Sequence, residues 1–429
     1  MQSKKIVVID GCRTPFLRMG TNYTDLMSYQ LGQFAIKGLL EKTNIDPKVV
    51  DTVVMGTVIA NLKTSNVARE AAVTAGIPVS AYCHTVAQAC ISANRAIANA
   101  AMEIMTGQAE VAIAGGVDCS SDTPIAVSKS TQKKLLKAQK IKTMGDSLRF
   151  ASTLRPADFM PERPKVAEYI TNRTMGEDCE IMASNYGISR ESQDAYAARS
   201  HQFAHQAAEK GLLAAEMIPV SLPPKFDVLD KDNGVRGDTT SERIAKLNPA
   251  FDKQNGTITA ANASFLTDGA AVVLIMTESK AKELGLTPKA TIVDFTFTGQ
   301  RLEDELLLGP TYATSKLFHR TGMTFKDIDV IEFHEAFAAQ ILANLKCLAS
   351  DDFAKANLGR DKAVGEVDMD KFNLWGGSLS IGHPFGATGA RLVTTACNRL
   401  IAENGRFALL AACAAGAHGH AMILERYTA

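Results

Sequence analysis

Hydrophobic and polar positions along this chain follow two rhythms. Ile6-Val7-Val8-Ile9 is an unbroken apolar run that predicts a buried strand, with a turn at Gly11 to Pro15. Asp25 to Glu41 has helical spacing, and Val49 to Ile59 reads as a second strand. Ala68 to Ala75 predicts a helix that ends at Gly76-Ile77-Pro78. A short β-compatible stretch, Ser80 to Val86, leads into an Ala-rich run from Ile91 to Thr106, with Gly107 placed as a C-terminal cap. Glu110 to Ala114 predicts a strand ending in Gly115-Gly116. This alternation across residues 1–120 predicts a largely parallel sheet covered on both faces. The small-residue helix after Cys90 is expected to lie buried between layers.

The rhythm breaks at about residue 121 and returns near 260. In between, polar and charged residues rise and clear strands disappear. Lys129, Lys133, Lys134, Lys137, Lys140 and Lys142 share a helical-looking stretch with Leu135, Leu136, Met144 and Leu148. That pattern suits a solvated helix face, or a surface that meets CoA phosphates, acidic lipid or a partner subunit. Arg190 to Lys210 is helical and Lys225 to Glu242 is a loop. Residues 121–259 therefore read as an insertion that covers a site. Asp268 to Met276 is again a buried strand and is expected to complete the first half. Over 278–429 the opening order recurs: strand Ala290 to Thr298, helix Thr311 to Thr321, strand Ile328 to Phe333, a helix from His334 to Leu348, helix Gly386 to Asn404 and strand Phe407 to Ala412. Two halves of similar βα order suggest an internal duplication.

Composition narrows the class. The 429 residues are 46% hydrophobic and 21% charged with zero formal net charge, ordinary for a globular protein and unlike a nucleic-acid binder. The apolar run Phe407 to Leu424 contains His418, His420 and glycines, so it reads as two strands and a turn rather than a membrane span. No secretory or transit pattern marks the N-terminal residues, and the last residues carry no organelle address. Eight scattered cysteines, none in C-x-x-C or zinc-finger spacing, fit a reducing, cytoplasmic compartment and predict no metal site.

Candidate chemistry centres on Cys90. Its place at a strand-to-helix turn puts the thiol near unpaired N–H groups and a helix dipole, which favour a thiolate. Asn373 to Arg391 frames His383 with glycines and Pro384 just before a helix, where backbone can approach a ligand and an imidazole could take a thiol's proton. Its glycine spacing lacks the dinucleotide fingerprint, which excludes a nicotinamide site. His334-Glu335-Ala336-Phe337 lies at another strand end, and Cys413 to Gly419 forms a small-residue turn after a strand. Each motif alone is weak, since an isolated cysteine or histidine is most often a core residue.

Together these segments resemble the thiolase family over essentially the whole chain. The Cys90 turn is similar to its nucleophile motif. Asn262-Ala263-Ser264 followed by Asp268-Gly269-Ala270-Ala271 matches its N-A-S…D-G-A-A signature, Gly376 to Arg391 its histidine motif, and Cys413 its second cysteine motif. Two positions depart from the usual pattern. His334 stands where most thiolases carry Asn, a form that resembles the thiolase subunit of fatty-acid β-oxidation multienzyme complexes. Cys413-Ala414-Ala415-Gly416 stands where the family's final motif usually reads Cys-x-Gly-Gly-Gly.

The resemblance implies a five-layered αβαβα arrangement of two βα halves with a loop-domain insertion. It implies CoA-dependent cleavage of a 3-oxoacyl-CoA to acetyl-CoA and a shortened acyl-CoA, with CoA as co-substrate and no bound cofactor. Cys90 would carry the acyl group and His383 would accept its proton. Cys413 would protonate the enolate and then deprotonate CoA. His334 with His383 would hold the enolate oxygen, and the backbone N–H groups of Cys90 and Ala415 the tetrahedral oxyanion. Ser264, Phe251 and Asn262 would contact CoA. A homodimer or larger assembly, a hydratase/3-hydroxyacyl-CoA dehydrogenase partner and a peripheral membrane contact are implied by analogy. The rival readings are a biosynthetic acetyl-CoA C-acetyltransferase, a decarboxylating ketosynthase using Cys90, His334 and His383, and a non-catalytic acyl-CoA carrier.

Overall fold

In the computed structural model, which describes residues 4–162 and 167–428, the opening apolar run forms β1 (Ile6–Arg13). Met1 to Ser3 and Ala429 lie outside the described residues. β1 runs through the predicted turn because Gly11 lets it pass close to a helix: a Cβ there would lie 2.1 Å from Thr394 Oγ1. Eight further strands share its sheet: β2 (Thr52–Gly56), β3 (Tyr82–Val86), β4 (Val111–Asp118), β5 (Thr267–Thr277), β6 (Ala290–Gly299), β7 (Val330–Phe333), β8 (Phe407–Ala414) and β9 (His418–Arg426). Their order is β7-β8-β9-β6-β1-β5-β4-β2-β3, and the pair Leu17–Arg18 adds to the edge of β5.

The sheet has two parts. β3-β2-β4-β5-β1 belongs to the first half and β6-β9-β8-β7 to the second, and β1 meets β6 through only Val7↔Thr291 and Val8↔Ala290. Pairing is mixed rather than largely parallel. β2–β3, β2–β4 and β7–β8 are parallel, but β5 returns from the insertion antiparallel to both β1 and β4. A tight hairpin makes β8 and β9 antiparallel. β4 also continues through Gly115-Gly116 instead of ending there. These glycines are required by close backbone approach: a Cβ on Gly116 would lie 2.0 Å from the carbonyl of Gly386.

Five layers result. Helices Ser28–Thr43 and Val67–Thr74 cover the outer face of the first half, and Gly309–Thr321 covers that of the second. Helices Ser92–Thr106 and Thr388–Ala402 pack between the halves. The Ser92–Thr106 helix buries Ala93, Ala96, Ile97, Ala100 and Ile104 there, as its small residues predicted. Such a seam tolerates no added volume, and overpacking costs typically ~1–3 kcal/mol.

Residues between β4 and β5 form helices Lys129–Ala138, Met144–Ala151, Met175–Asn185 and Arg190–Glu209. Their only strands among described residues are two short pairs, Ala126–Val127 with Pro161–Glu162 and Val220–Ser221 with Val228–Leu229. No described helix is long and apolar enough to cross a membrane.

Candidate active site

Cys90 sits between β3 and helix Ser92–Thr106. Ala89 before it takes a positive φ of 45°, and Ser92 Oγ accepts from Gln88 N–H at 2.8 Å while donating to Ala89 carbonyl at 2.7 Å. A non-glycine residue in this region stores strain, here held by the turn's own hydrogen bonds. The helix-terminus expectation for the thiol fails. Burial pushes the Cys90 thiol up to about 12, against the N–H groups of Ala415 and Cys90 that face the sulfur, and the Asp118 charge adds to the rise. Desolvation outweighs the helix terminus, so the resting group is a thiol and needs a base.

Two imidazoles stand beside it. The sulfur of Cys90 and ring nitrogens of His334 and His383 all lie within 4.8 Å of one another. The two rings are 4.0 Å apart at their centroids and tilted by 40°. Both are buried, and neither Nε2 has a hydrogen-bond partner among the described residues. Nδ1 of His334 meets Ser378 Oγ at 2.9 Å, and Nδ1 of His383 meets Thr388 Oγ1 at 2.6 Å. Burial, with the Arg391 charge behind, pushes His383 down to about 3. Burial, the neighbouring His383 and Arg391 hold His334 well below its ordinary range. Both rings are therefore neutral at physiological pH.

Cys413 is the next-to-last residue of β8. It is buried, and its thiol is pushed far up by burial and then by the charge of Cys90 nearby. The following turn places positive φ on Gly416 (80°) and Ala417 (54°), not on Ala414 or Ala415. Of the two alanines that stand at glycine positions of the motif, Ala415 is thus unstrained while Ala417 is held in the left-handed region, and Ala415 N–H points at the Cys90 sulfur. Glu168, from the insertion, accepts from Gly416 N–H and lies over this turn.

The histidines are fixed by contacts the sequence did not show. His334 through Phe337 is a connecting segment, and the helix begins only at Ala338. Glu335 anchors it, accepting from Tyr196 Oη (2.8 Å), Ser200 Oγ (2.7 Å) and Asn373 Nδ2 (2.8 Å). A Cβ on Gly377 would lie 2.2 Å from the Glu335 carboxyl. Asp118 fixes the His383 loop from the other half. Its carboxylate accepts from Gly386 N–H at 2.5 Å, Ile59 N–H at 2.8 Å and Thr57 Oγ1 at 2.9 Å. The glycines around His383 therefore admit protein rather than ligand: a Cβ on Gly389 would lie 2.1 Å from Asn94 Oδ1.

The predicted CoA contacts separate. Ser264 is half-buried, with its N–H on Ala336 carbonyl at 2.9 Å. Phe251 is 37% exposed and packs edge-on to Phe337, centroids 6.1 Å apart. Asn262 is fully buried. Its oxygen accepts from Thr259 N–H, and its nitrogen donates to Asp194 and to Thr257 carbonyl. That side chain is spent inside the protein and has no group left for CoA, which corrects its assignment as a contact. It sets the loop that carries Ser264.

The profile "Thiolase, N-terminal domain" matches residues 6–279 and "Thiolase, C-terminal domain" matches residues 286–426. The chain belongs to the thiolase family. It is 51% identical over 424 residues to the mitochondrial trifunctional enzyme subunit beta of Mus musculus, covering 99% of this chain and 89% of that one. A 3-ketoacyl-CoA thiolase of Yersinia enterocolitica is 46% identical over 424 residues, 99% of this chain and 97% of that protein. Human mitochondrial 3-ketoacyl-CoA thiolase superposes with a TM-score of 0.83 at 29% identity, covering 100% of each chain. The thiolase fold, an α/β architecture, is thereby established for this chain.

Thr57, Asp118, Ser378 and Thr388 are the contributors that sequence reasoning left unassigned. Ser378 and Thr388 fall inside the histidine motif, and their hydroxyls five residues either side of His383 were the available signal. Asp118 offers none, because only the fold brings it to Gly386.

Proposed function

We propose that this thiolase cleaves 3-oxoacyl-CoA with CoA, giving acetyl-CoA and an acyl-CoA two carbons shorter, by a two-step transfer through Cys90. The convergence of the Cys90 sulfur with the His334 and His383 nitrogens, within 4.8 Å, carries the reading. A thiol held near 12 beside a neutral imidazole is a poor thiolate at rest. The proton passes to His383 as the sulfur attacks the 3-keto carbon, so charge appears only when the substrate can receive it. Ala415 and Cys90 N–H groups meet the oxyanion of that adduct, and His334 with the newly protonated His383 meets the enolate oxygen of departing acetyl-CoA. Cys413 gives its proton to the enolate carbon and later takes one from the incoming CoA thiol, which attacks the acyl-Cys90 ester. Ser264 and Phe251 line the CoA channel.

Mass spectrometry of the intact protein after a 3-oxoacyl-CoA without free CoA tests this reading. An acyl adduct on Cys90 and stoichiometric acetyl-CoA are expected. Turnover with no adduct and no loss in Cys90→Ser defeats it. The decarboxylating alternative draws on the paired imidazoles His334 and His383, and the buried Cys413 opposing Cys90 favours thiolysis over it.

Five exposed lysines (129, 133, 137, 140 and 142) and the exposed Leu135, Leu136, Met144 and Leu148 form a docking face in this reading. Its partner is a hydratase/3-hydroxyacyl-CoA dehydrogenase subunit, in keeping with relatives named as the beta subunit of a trifunctional enzyme. Co-purification with such a subunit tests it, and binding only to anionic vesicles would point to a membrane contact instead. Eight free cysteines support a reducing, cytoplasmic location.

A further inference from the structure

Two chemically identical imidazoles lie side by side, and the reaction needs opposite things from them. One must present a bare nitrogen to the Cys90 thiol. The other must present an N–H to an oxygen. A neutral imidazole carries one hydrogen, and the partner of Nδ1 decides where it sits.

Behind His334 the chain of donors begins at Arg391. A guanidinium only donates, and Arg391 Nη2 donates to Ser378 Oγ at 3.4 Å. Ser378 has one hydroxyl hydrogen, and His334 Nδ1, 2.9 Å away, is the acceptor beside it. Reversing that bond would leave a buried hydroxyl hydrogen without an acceptor, a loss of about 1–3 kcal/mol. His334 therefore accepts at Nδ1 and carries its hydrogen on Nε2. Behind His383 the order is opposite. Thr388 Oγ1 donates to the Pro384 carbonyl at 3.0 Å, one helical turn back, and has only lone pairs left for His383 Nδ1 at 2.6 Å. His383 donates there and leaves Nε2 bare.

We propose that Ser378 and Thr388 act as positioning residues that lock His334 and His383 in opposite tautomers, the first an Nε2–H donor and the second an Nε2 base. Arg391 sets the direction of the Ser378 hydroxyl. The job given to each tautomer rests on the thiolysis reading; the tautomers themselves rest on hydrogen bonds alone. In the transfer, the Cys90 S–H bond breaks, its proton forms an N–H bond at His383 Nε2, the sulfur electron pair forms the S–C bond to the 3-keto carbon, and the C=O π pair moves onto the keto oxygen as the oxyanion. His334 changes no bond to hydrogen.

The test is long-range proton–nitrogen correlation NMR on the full-length protein labelled with ¹⁵N-histidine, with His334→Asn and His383→Asn spectra used only for assignment. Expected are a bare Nδ1 and protonated Nε2 for His334, and the reverse for His383. The same tautomer in both rings overturns the proposal. Kinetics supply the second readout. Thr388→Val should lower kcat about 100-fold with KM within about two-fold, and Thr388→Ser should restore it. Ser378→Ala should mix the His334 tautomers and lower kcat by roughly 10- to 100-fold. Full activity in both Ser378→Ala and Thr388→Val also overturns it. Absence of any 3-oxoacyl-CoA cleavage by the unaltered protein would defeat the thiolysis reading alone, since the spectra need no substrate.

Discussion

Asp118, at the end of a first-half strand, holds the backbone N–H of Gly386 in the second half at 2.5 Å. The same carboxylate accepts from Val58, Ile59 and Thr57, so one buried acid ties the nucleophile's half to the loop carrying His383. Asp118→Asn would turn an NH2 group toward N–H donors and leave at least one unsatisfied, a loss of about 1–3 kcal/mol. We expect a lower Tm and a fall in kcat from the loosened His383, with CoA KM little changed. Calorimetry and steady-state kinetics check this; a variant matching the parent in both assigns the loop's position to other contacts.

The raised Cys90 thiol makes a prediction opposite to that of an activated thiolate. Inactivation by iodoacetamide should accelerate about ten-fold per pH unit with no plateau below pH 10, because the reactive fraction keeps growing toward a pKa near 12. A helix-activated thiol would level off near neutrality. The measurement is a set of inactivation rates from pH 6 to 10, with Cys90→Ser confirming the labelled residue.

That contrast marks what the sequence could carry. Strand and helix order and the buried Ala-rich helix come from local pattern, and the roles proposed for Cys90, His383, Cys413 and His334 come from pattern and resemblance. The direction of the thiol's pKa was not legible, because its largest cause is burial, which only the folded chain imposes around Cys90. The mixed pairing was hidden for the same reason: β5 looks like any buried strand until the insertion returns it antiparallel to β1. Asn262 misled because a signature residue can serve the loop instead of the ligand. The His383 glycines misled similarly, since their free space is filled by Glu335 and Asn94 rather than by substrate.

Acid should weaken the fold through its histidines. Burial first of all holds His201 at about 4, with the charges of Arg18 and Arg236 adding to the effect, and it holds His383 and His420 at about 3. A depressed imidazole binds fewer protons folded than unfolded, so stability is complete above the unfolded value of 6.5 and drains away as pH falls toward the folded values. By pH 5 each such group costs about 2 kcal/mol. Asp118, raised to about 6 by burial, works in the other direction and offsets part of this. Tm should therefore drop between pH 6.5 and 4, and a Tm constant from pH 7.5 to 5 would contradict the buried neutral state of these rings.

Gly176 tests the proposed place of Phe251 in the CoA channel. It opens helix Met175–Asn185 beneath Phe251, where a Cβ would lie 2.2 Å from the ring. Alanine raises helix propensity there by up to ~1 kcal/mol, yet the ring must move. Gly176→Ala should raise the KM for CoA several-fold and leave kcat close to the parent value. An unchanged KM would remove Phe251 from the CoA channel.

Cys413 separates the two reactions that the Cys90–His334–His383 cluster could support. Thiolysis requires a proton for the acetyl-CoA enolate and a base for the incoming CoA thiol, and Cys413 is a buried thiol near enough to Cys90 for their charges to interact. Decarboxylation generates its carbanion by losing CO2 and needs neither. Cys413→Ala removes one sulfur from a closed wall and leaves both imidazoles and the Ala415 N–H in place. We expect thiolysis to fall by about 10²- to 10⁴-fold, the range of a lost acid–base group. Alkylation of Cys90 should stay within a few-fold of the parent rate, because both imidazoles and the Ala415 N–H that act on its sulfur stay in place. If Cys413→Ala instead keeps a malonyl-CoA-dependent condensation at parental speed, the cluster serves a ketosynthase, and the second thiol is packing rather than chemistry.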